Sequence, residues 1–353
     1  MKSGKIIKKR VVLISVLSML CLFFSVPNLK SENLKKIVNL EGTWRFSIGD
    51  NPLWSEINFA AKSWDYVYIP QNWESAGYMN YDGFAWYRKE FELNSNLNQD
   101  PLYLVLGYID DVDEVYINGH LIGRTGVFPP VVATSFSLLR KYYLPKELLN
   151  ENGSNVIAVR VYDEYQSGGI YKGPVGIFYD QDNDLLVKNL AGVWNFHSKG
   201  NDDSVAGSNE TIFVPGHLES RSYYGLYGLI TYTKEFTTDN LDSENLMVVL
   251  GYIDGVEKVY LNGNFIGTVE EVRNSENRDL ASVRILRSYM LPKDLLNDGV
   301  NKISLVIENN NGQGGIYEGP VGLIHKDDLN LLKKAQKEKP VNLWEEFIKN
   351  FFE

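Results

Sequence analysis

The feature that most constrains this chain is an internal duplication. Residues 107–123, GYIDDVDEVYINGHLIG, return as GYIDGVEKVYLNGNFIG at residues 251–267, with 11 of 17 positions identical. Two flanking motifs, LEGTWRF and GGIYKGPVGI, recur as LAGVWNF and GGIYEGPVGL. Each copy is long enough to build its own hydrophobic core, because domains most often contain about 100 to 150 residues. The sequence therefore predicts two tandem domains, residues 38–183 and 184–328.

Each copy has the pattern of a β protein. Residues 102–109 are almost all apolar, as in a strand that is buried on both faces. Asn118-Gly119 and Asn262-Gly263 separate apolar runs, and Asn-Gly is a strong signal for a two-residue hairpin turn. The segments LPKELL and LPKDLL allow only one helical turn after the proline. The pattern predicts an all-β fold of two jelly-roll sandwiches.

Charge and composition exclude several kinds of site. The 35 Lys and Arg residues are outnumbered by 45 Asp and Glu, which gives a net charge of −10 and argues against a nucleic-acid partner. Cys21 is the single cysteine, and the four histidines show no metal-ligand spacing. We therefore expect no cofactor and no metal, since a metal site would need carboxylates alone.

The two termini differ from the repeats. Five basic residues precede an apolar run at residues 11–26, which is shorter than the roughly 20 residues that span a bilayer. Residues 1–31 are therefore either a cleaved signal peptide or a membrane anchor, and the protein is exported to the periplasm, the cell envelope or the medium. Residues 329–353 form a C-terminal helical tail that docks on a sandwich or contacts a partner or a membrane. Its predicted apolar face comprises Trp344, Phe347, Ile348, Phe351 and Phe352.

Several motifs in the first copy resemble a known domain. Trp44 with Phe46, the run WYRKEF that begins at Trp86, and IDDVDEVYINGHLIG from Ile109 are similar to the sugar-binding jelly-roll domain of family-two glycoside hydrolases. The patterns at Ile109 and at Gly168 resemble sialate O-acetylesterases even more closely. The resemblance covers residues 38–325, more loosely in the second copy, and implies a galactose-binding-like sandwich.

The catalytic parts of the resembled enzymes are not recognisable in this sequence. Those hydrolases carry their catalytic carboxylates on a separate (β/α)8 barrel, and those esterases use a Gly-Asp-Ser nucleophile domain. The sequence has neither a Gly-Asp-Ser motif nor a Gly-x-Ser-x-Gly motif. A hydrolase activity would therefore rest on resemblance alone, and we expect no catalytic residues.

Aromatic residues next to carboxylates are the candidates for sugar binding. A sugar face stacks on an aromatic ring while its hydroxyls bond to carboxylates. Packing of the loop explains the same aromatics equally well. The candidates in the first copy are Trp73, Glu74, Tyr78, Tyr81 and Tyr171, and those in the second are His217, Glu219, Tyr223, Tyr224 and Tyr317.

The acidic run at Asp110 is the other candidate. Asp111 and Asp113 could form an acid/base pair or a calcium site with Asp110, but the second copy has Gly255 and Glu257 at those positions. Adjacent residues of a strand point to opposite faces, so Asp110 and Asp111 are expected to point apart. We expect Asp110 to have a structural role.

Three functions remain open on the sequence alone. The leading hypothesis is an exported, non-catalytic tandem module that binds carbohydrate or a glycoconjugate. The first alternative is a relative of glycoside hydrolases or sialate O-acetylesterases that acts as an enzyme or beside a separate catalytic or envelope protein. The second alternative is a protein-binding sensor or scaffold. Membrane contact is expected only through the N-terminal segment or the C-terminal helix.

Overall fold

The computed structural model describes residues 33–93, 100–199, 210–218, 226, 228–239, 241–269, 285–309 and 315–337. The predicted signal or anchor segment and the aromatic face at residues 344–352 lie outside these residues. Within the described part of the chain, no helix is both long and apolar enough to cross a bilayer.

Ten strands build the first repeat. They are β1 (Leu34–Asn39), β2 (Gly42–Ile48), β3 (Asp65–Ile69), β4 (Gly83–Glu92), β5 (Leu102–Asp110), β6 (Val112–Ile117), β7 (His120–Thr125), β8 (Leu139–Leu144), β9 (Ser154–Asp163) and β10 (Gly169–Asp180).

The strands of the first repeat form two antiparallel sheets. One has the order β1-β10-β5-β8 and the other the order β3-β2-β4-β9-β6-β7. Apolar side chains of both sheets meet in one core, which includes Leu104 of β5 and Val159 of β9. The buried strand predicted at residues 102–109 is confirmed as β5. The first sheet begins at Leu34, before the predicted domain start at residue 38.

The second repeat has the same architecture. Its strands are β11 (Lys188–Asn189), β12 (Gly192–Lys199), β13 (Glu210–Val214), β14 (Gly228–Thr237), β15 (Leu246–Asp254), β16 (Val256–Leu261), β17 (Asn264–Thr268), β18 (Leu286–Met290), β19 (Val300–Asn309) and β20 (Gly315–His325). They form sheets of order β11-β20-β15-β18 and β13-β12-β14-β19-β16-β17, which match the first pair strand for strand. The predicted all-β fold of two sandwiches is confirmed.

The hairpin turns explain why the Asn-Gly motif recurs. Asn118 and Gly119 have φ angles of 49° and 85°, and Asn262 and Gly263 have 50° and 83°. Asn and Gly adopt this left-handed region at lower cost than other residues. Each asparagine also bonds to the chain near the next strand, since Asn118 Oδ1 accepts from Val156 N–H at 2.8 Å.

Helical segments within the described residues are short. The 3-10 turns are Pro52–Ser55, Trp73–Ala76, Lys146–Leu148, Gln181–Leu185 and Lys293–Leu295, and the single helical turns predicted after Pro145 and Pro292 are thus confirmed. One α-helix, α1 (Lys326–Lys337), follows β20 directly. Its residues Leu329 and Leu332 are buried against Val249 and Ile324 of the second repeat. This helix begins before the predicted tail boundary at residue 329, and the predicted docking face at residues 344–352 stays a prediction.

Candidate functional site

Trp73 is part of the hydrophobic core, which corrects its assignment as a sugar-stacking residue. Its side chain is 1% exposed, and its indole N–H donates to the Tyr81 carbonyl at 3.1 Å. A Cβ on Gly168 would overlap the indole, so the glycine is the reason the ring fits beneath the chain. A ring with both faces covered offers no surface to a sugar.

The neighbours of Trp73 are committed to contacts within the protein. The Tyr78 hydroxyl donates to Asp65 at 2.5 Å, and the ring packs against Phe46 with centroids 4.7 Å apart. The Tyr81 hydroxyl donates to the Phe84 carbonyl at 2.6 Å. These bonds tie the loop to β3 and β4. Packing, the alternative left open by the sequence, thus explains both tyrosines.

Glu74 is the member of this group that retains an unused polar atom. Its Oε1 accepts from the Gly168 N–H at 3.4 Å, while its Oε2 is buried and has no hydrogen-bond partner among the described residues. Burial is the main cause of the raised pKa values of Asp110 and Asp163, and the Glu74 carboxylate adds a smaller electrostatic contribution to both. Glu74 therefore lies with the acidic residues rather than with an open aromatic surface.

Among the sugar-binding candidates of the second repeat, two are described by the structure. His217 and Tyr317 stack with ring centroids 5.4 Å apart and an interplanar angle of 21°. Burial lowers the pKa of His217, because desolvation disfavours its charged form. Leu218, at the position of Trp73, is fully buried. The candidates Glu219, Tyr223 and Tyr224 lie outside the described residues.

Tyr171 lies near the start of β10, next to the Trp73 loop, because the Gln71 N–H donates to the Ile170 carbonyl at 2.9 Å. It follows the Gly168-Gly169 entry to β10, and its hydroxyl donates to the Phe136 carbonyl at 3.0 Å. Phe136 N–H in turn donates to the Thr134 hydroxyl at 3.4 Å. The Thr134 hydroxyl donates to Asp111 Oδ1. This chain of hydrogen bonds leads from Tyr171 to the acidic residues between β5 and β6.

Three carboxylates converge at that point, and we call Asp110, Asp111 and Asp163 the acidic corner. One oxygen from each lies within 4.8 Å of the other two. The expectation that Asp110 and Asp111 point apart is wrong. Asp110 ends β5 and Asp111 lies between β5 and β6, so strand alternation does not extend across the pair. Asp163, which ends β9, is the third member that the sequence did not reveal.

Two carboxyls of the acidic corner hold their protons more strongly than free aspartates do. Burial, followed by the hydrogen bond and charge of Asp111, raises the pKa of Asp110 to about 7. Burial, followed by the charges of Asp111 and Asp110, raises the pKa of Asp163 to about 8. Asp111 is held by Thr134 and by the Glu164 N–H, which donates to Oδ2 at 3.0 Å. The Asp111 carboxylate is therefore held through both of its oxygens.

Asp113 does not belong to this corner, which corrects the sequence-based grouping. It is fully buried and forms an ion pair with Arg140, with Oδ1 and Nε 2.6 Å apart, and it accepts from the Tyr142 hydroxyl. The second repeat has the same arrangement, in which Arg287 pairs with Glu257 at 2.9 Å. A feature present in both copies of the sandwich is part of the scaffold.

The surroundings of the acidic corner are open and partly aromatic. Tyr165, just after the Glu164 that bonds Asp111, is 71% exposed, and Phe136 is 50% exposed. Asp110 and Asp111 are half-buried and Asp163 is fully buried. The carboxylates can accept hydrogen bonds or bind a cation, and the two exposed aromatic residues follow by two positions Asp163 and Thr134, whose hydroxyl bonds to Asp111. The sequence does contain one signal for Asp163. Its counterpart in the second repeat is Asn309, and this difference between the repeats could have identified Asp163 as a candidate.

Comparison with protein families identifies part of the first repeat. Residues 52–166 match the model of the family described as the beta-galactosidase second all-beta domain. This stretch is therefore an all-β domain related to those of family-two glycoside hydrolases. It includes Asp110, Asp111 and Asp163.

Three similar proteins are much longer than this chain. A putative beta-glucuronidase of Formosa agariphila is 29% identical in an alignment 153 residues long that covers 38% of this chain and 14% of that protein. A solved Bacteroides uniformis beta-glucuronidase overlaps with a TM-score of 0.36 at 16% identity, over 78% of this chain and 28% of that one. A Dictyoglomus thermophilum beta-D-mannosidase gives 0.32 at 14% identity, over 78% and 31%. The chain thus spans less than a third of each relative's length.

Proposed function

We propose that this chain is an exported, non-catalytic tandem module that binds carbohydrate, with its binding surface beside the acidic corner of the first repeat. The observation that carries the proposal is the pairing of solvent-accessible carboxylates with exposed rings. Asp110 and Asp111 are half-buried, and Tyr165 and Phe136 are 71% and 50% exposed. Sugar recognition uses this combination, because apolar C–H faces stack on rings while hydroxyls bond to carboxylates.

The hydrogen-bonded frame supports this surface. The Tyr171–Phe136 and Thr134–Asp111 bonds join the strand entry of β10 to the loop that precedes β8. Rings and carboxylates held by such a frame lose little conformational freedom when a ligand binds. We expect dissociation constants from micromolar to millimolar, or about −8 to −4 kcal/mol.

A second candidate function is favoured by the family match. Residues 52–166 are similar to a domain of glycoside hydrolases, so the chain could act as an accessory part of such an enzyme beside a separate catalytic chain. In that case the same surface presents the sugar to the partner. Both candidates share carbohydrate binding in the first repeat, and turnover of an aryl glycoside by the pure protein would contradict the non-catalytic claim.

Calorimetry across a glycan panel tests the proposal. Tyr165→Ala and Phe136→Ala should weaken binding roughly ten-fold, because each removes a contact ring worth about 1 to 2 kcal/mol. Tyr68→Ala is the matched control, since Tyr68 is 58% exposed on β3, at the far edge of the six-stranded sheet. If Tyr165→Ala and Phe136→Ala bound as tightly as wild type and Tyr68→Ala did not bind, the binding surface would lie at β3 instead. No binding to any glycan would overturn the proposal.

A further inference from the structure

The acidic corner contains a buried carboxylate without a partner. Asp163 is 0% exposed, and neither Oδ1 nor Oδ2 has a hydrogen-bond partner among the described residues. Buried carboxylates are ordinarily paired with a cation or hydrogen-bonded, because desolvating an ionised group is very costly. One oxygen of Asp163 lies within 4.8 Å of oxygens of both Asp110 and Asp111. The unpaired group thus faces two further carboxylates.

Arg140, whose charge acts on Asp110, does not pair with these carboxylates. Arg140 has five N–H donors, and all five are used. Nε bonds to Asp113, Nη1 bonds to the carbonyls of Ser135 and Leu138, and Nη2 bonds to those of Ile109 and Asp111. Arg140 therefore fixes the backbone on both sides of Asp110 and donates to none of the three carboxylates of the corner.

We propose that Asp110, Asp111 and Asp163 form a binding site for a divalent cation, with Ca²⁺ as the best fit. Hard divalent cations prefer oxygen ligands. Ca²⁺ accepts about six to eight oxygen ligands in irregular geometry, whereas Mg²⁺ requires a nearly ideal octahedron. Three carboxylates that each place an oxygen within 4.8 Å of the other two can meet the looser requirement of Ca²⁺.

The corner is also accessible and held in place. Asp110 and Asp111 are half-buried, so an ion can enter from solvent and keep water in its remaining coordination positions. Hydrogen bonds from the Thr134 hydroxyl and the Glu164 N–H fix the orientation of the Asp111 carboxylate. Hydrogen bonds of this kind fix ligand orientation and raise affinity. This site goes beyond the proposed sugar binding and does not depend on it.

The second repeat supplies an internal comparison. Asp254 ends β15 as Asp110 ends β5, but Gly255 and Asn309 stand where the first repeat has Asp111 and Asp163. Asn309 donates from Nδ2 to the Leu226 carbonyl at 2.6 Å. A Cβ on Gly255 would lie 2.8 Å from Ile307 Cγ2 and 2.9 Å from the Glu308 carbonyl oxygen. One carboxylate of three remains there, so we expect no ion at that position.

The experiment is calorimetric titration of CaCl₂ into the full chain after chelator treatment and dialysis. We expect one ion per chain, with a dissociation constant on the order of 10⁻⁵ to 10⁻³ M and a higher Tm in Ca²⁺ than in chelator. Asp163→Asn copies the second repeat, preserves volume and should weaken binding at least about ten-fold. Asp111→Asn should weaken it similarly, and Asp254→Asn, the matched control, should bind as wild type does.

Two outcomes would overturn the site. A folded wild type with no saturable binding up to about 10 mM, well above the usual range for extracellular sites, would mean that the carboxylates share protons instead. Binding that survives both Asp163→Asn and Asp111→Asn, or that is lost in Asp254→Asn, would place the ion elsewhere. Glycan calorimetry in chelator keeps the two proposals separate, because sugar binding can persist or fail there independently of Ca²⁺ binding.

Discussion

At the end of β9 the first repeat has Asp163, and at the end of β19 the second has Asn309. The strand order, the Asn-Gly hairpins and the buried Arg–carboxylate pair are the same in both repeats. The acidic corner is present in the first repeat alone, within the described residues. The residues that the two repeats share therefore build the sandwich. The residues that differ, such as Asp163 and Asn309, are the candidates for a function specific to one repeat.

The largest expected effect tests the shared scaffold. Arg140→Met should lower the free energy of unfolding by about 3 to 5 kcal/mol, because it leaves Asp113 buried and unpaired. Arg287→Met should cost a similar amount by orphaning Glu257. Urea denaturation followed by circular dichroism measures both. A loss below about 1 kcal/mol in either variant would show that the two pairs are not equivalent.

Trp73→Ala tests whether this residue is core or surface. Removing a fully buried indole should cost about 3 to 5 kcal/mol, and the matched Leu218→Ala about 2 to 5 kcal/mol. Tryptophan fluorescence during urea unfolding reports mainly on the first repeat, which contains five of the seven tryptophans. If Trp73→Ala weakened sugar binding but left stability unchanged, the assignment of Trp73 to the core would be wrong.

The hairpin asparagines test whether the two repeats are structurally equivalent. Asn118 Nδ2 donates to the Leu148 carbonyl at 2.7 Å, and Asn262 Nδ2 donates to the Leu295 carbonyl at 2.8 Å. Replacing either asparagine with alanine should cost about 1 to 3 kcal/mol, because buried polar partners and a left-handed backbone lose support. The midpoints of thermal unfolding should fall by similar amounts. A clear difference between the two variants would break the comparison.

The smallest expected effect is a pH dependence in the second repeat. His217 has a lowered pKa in the folded protein, so between that pKa and about 6.5 the unfolded chain binds more protons. Stability should therefore fall as pH drops below about 6.5. His217→Asn, which copies Asn72 of the first repeat, should reduce the loss of Tm between pH 7 and pH 5. An unchanged loss in this variant would contradict the role of His217.

Repeats and turns made most of the fold predictable. The Asn118-Gly119 and Asn262-Gly263 hairpins, the buried strand β5 and the two sandwiches follow from local pattern and from duplication. The candidate site was less predictable, because a buried and an exposed aromatic look alike in sequence. Trp73 is buried by Gly168, which lies on a distant part of the chain. Asp163 joins Asp110 only through the pairing of β9 with β6, which no local pattern encodes.

Anomalous diffraction from crystals soaked in Tb³⁺, a calcium substitute, shows directly whether the first repeat alone binds a cation. We expect one strong peak among the carboxylates of Asp110, Asp111 and Asp163, and none beside Asp254 and Asn309. Peaks at both positions would contradict the functional difference between the repeats. Absence of a peak at the acidic corner, with clear density for all three side chains, would contradict the cation site itself.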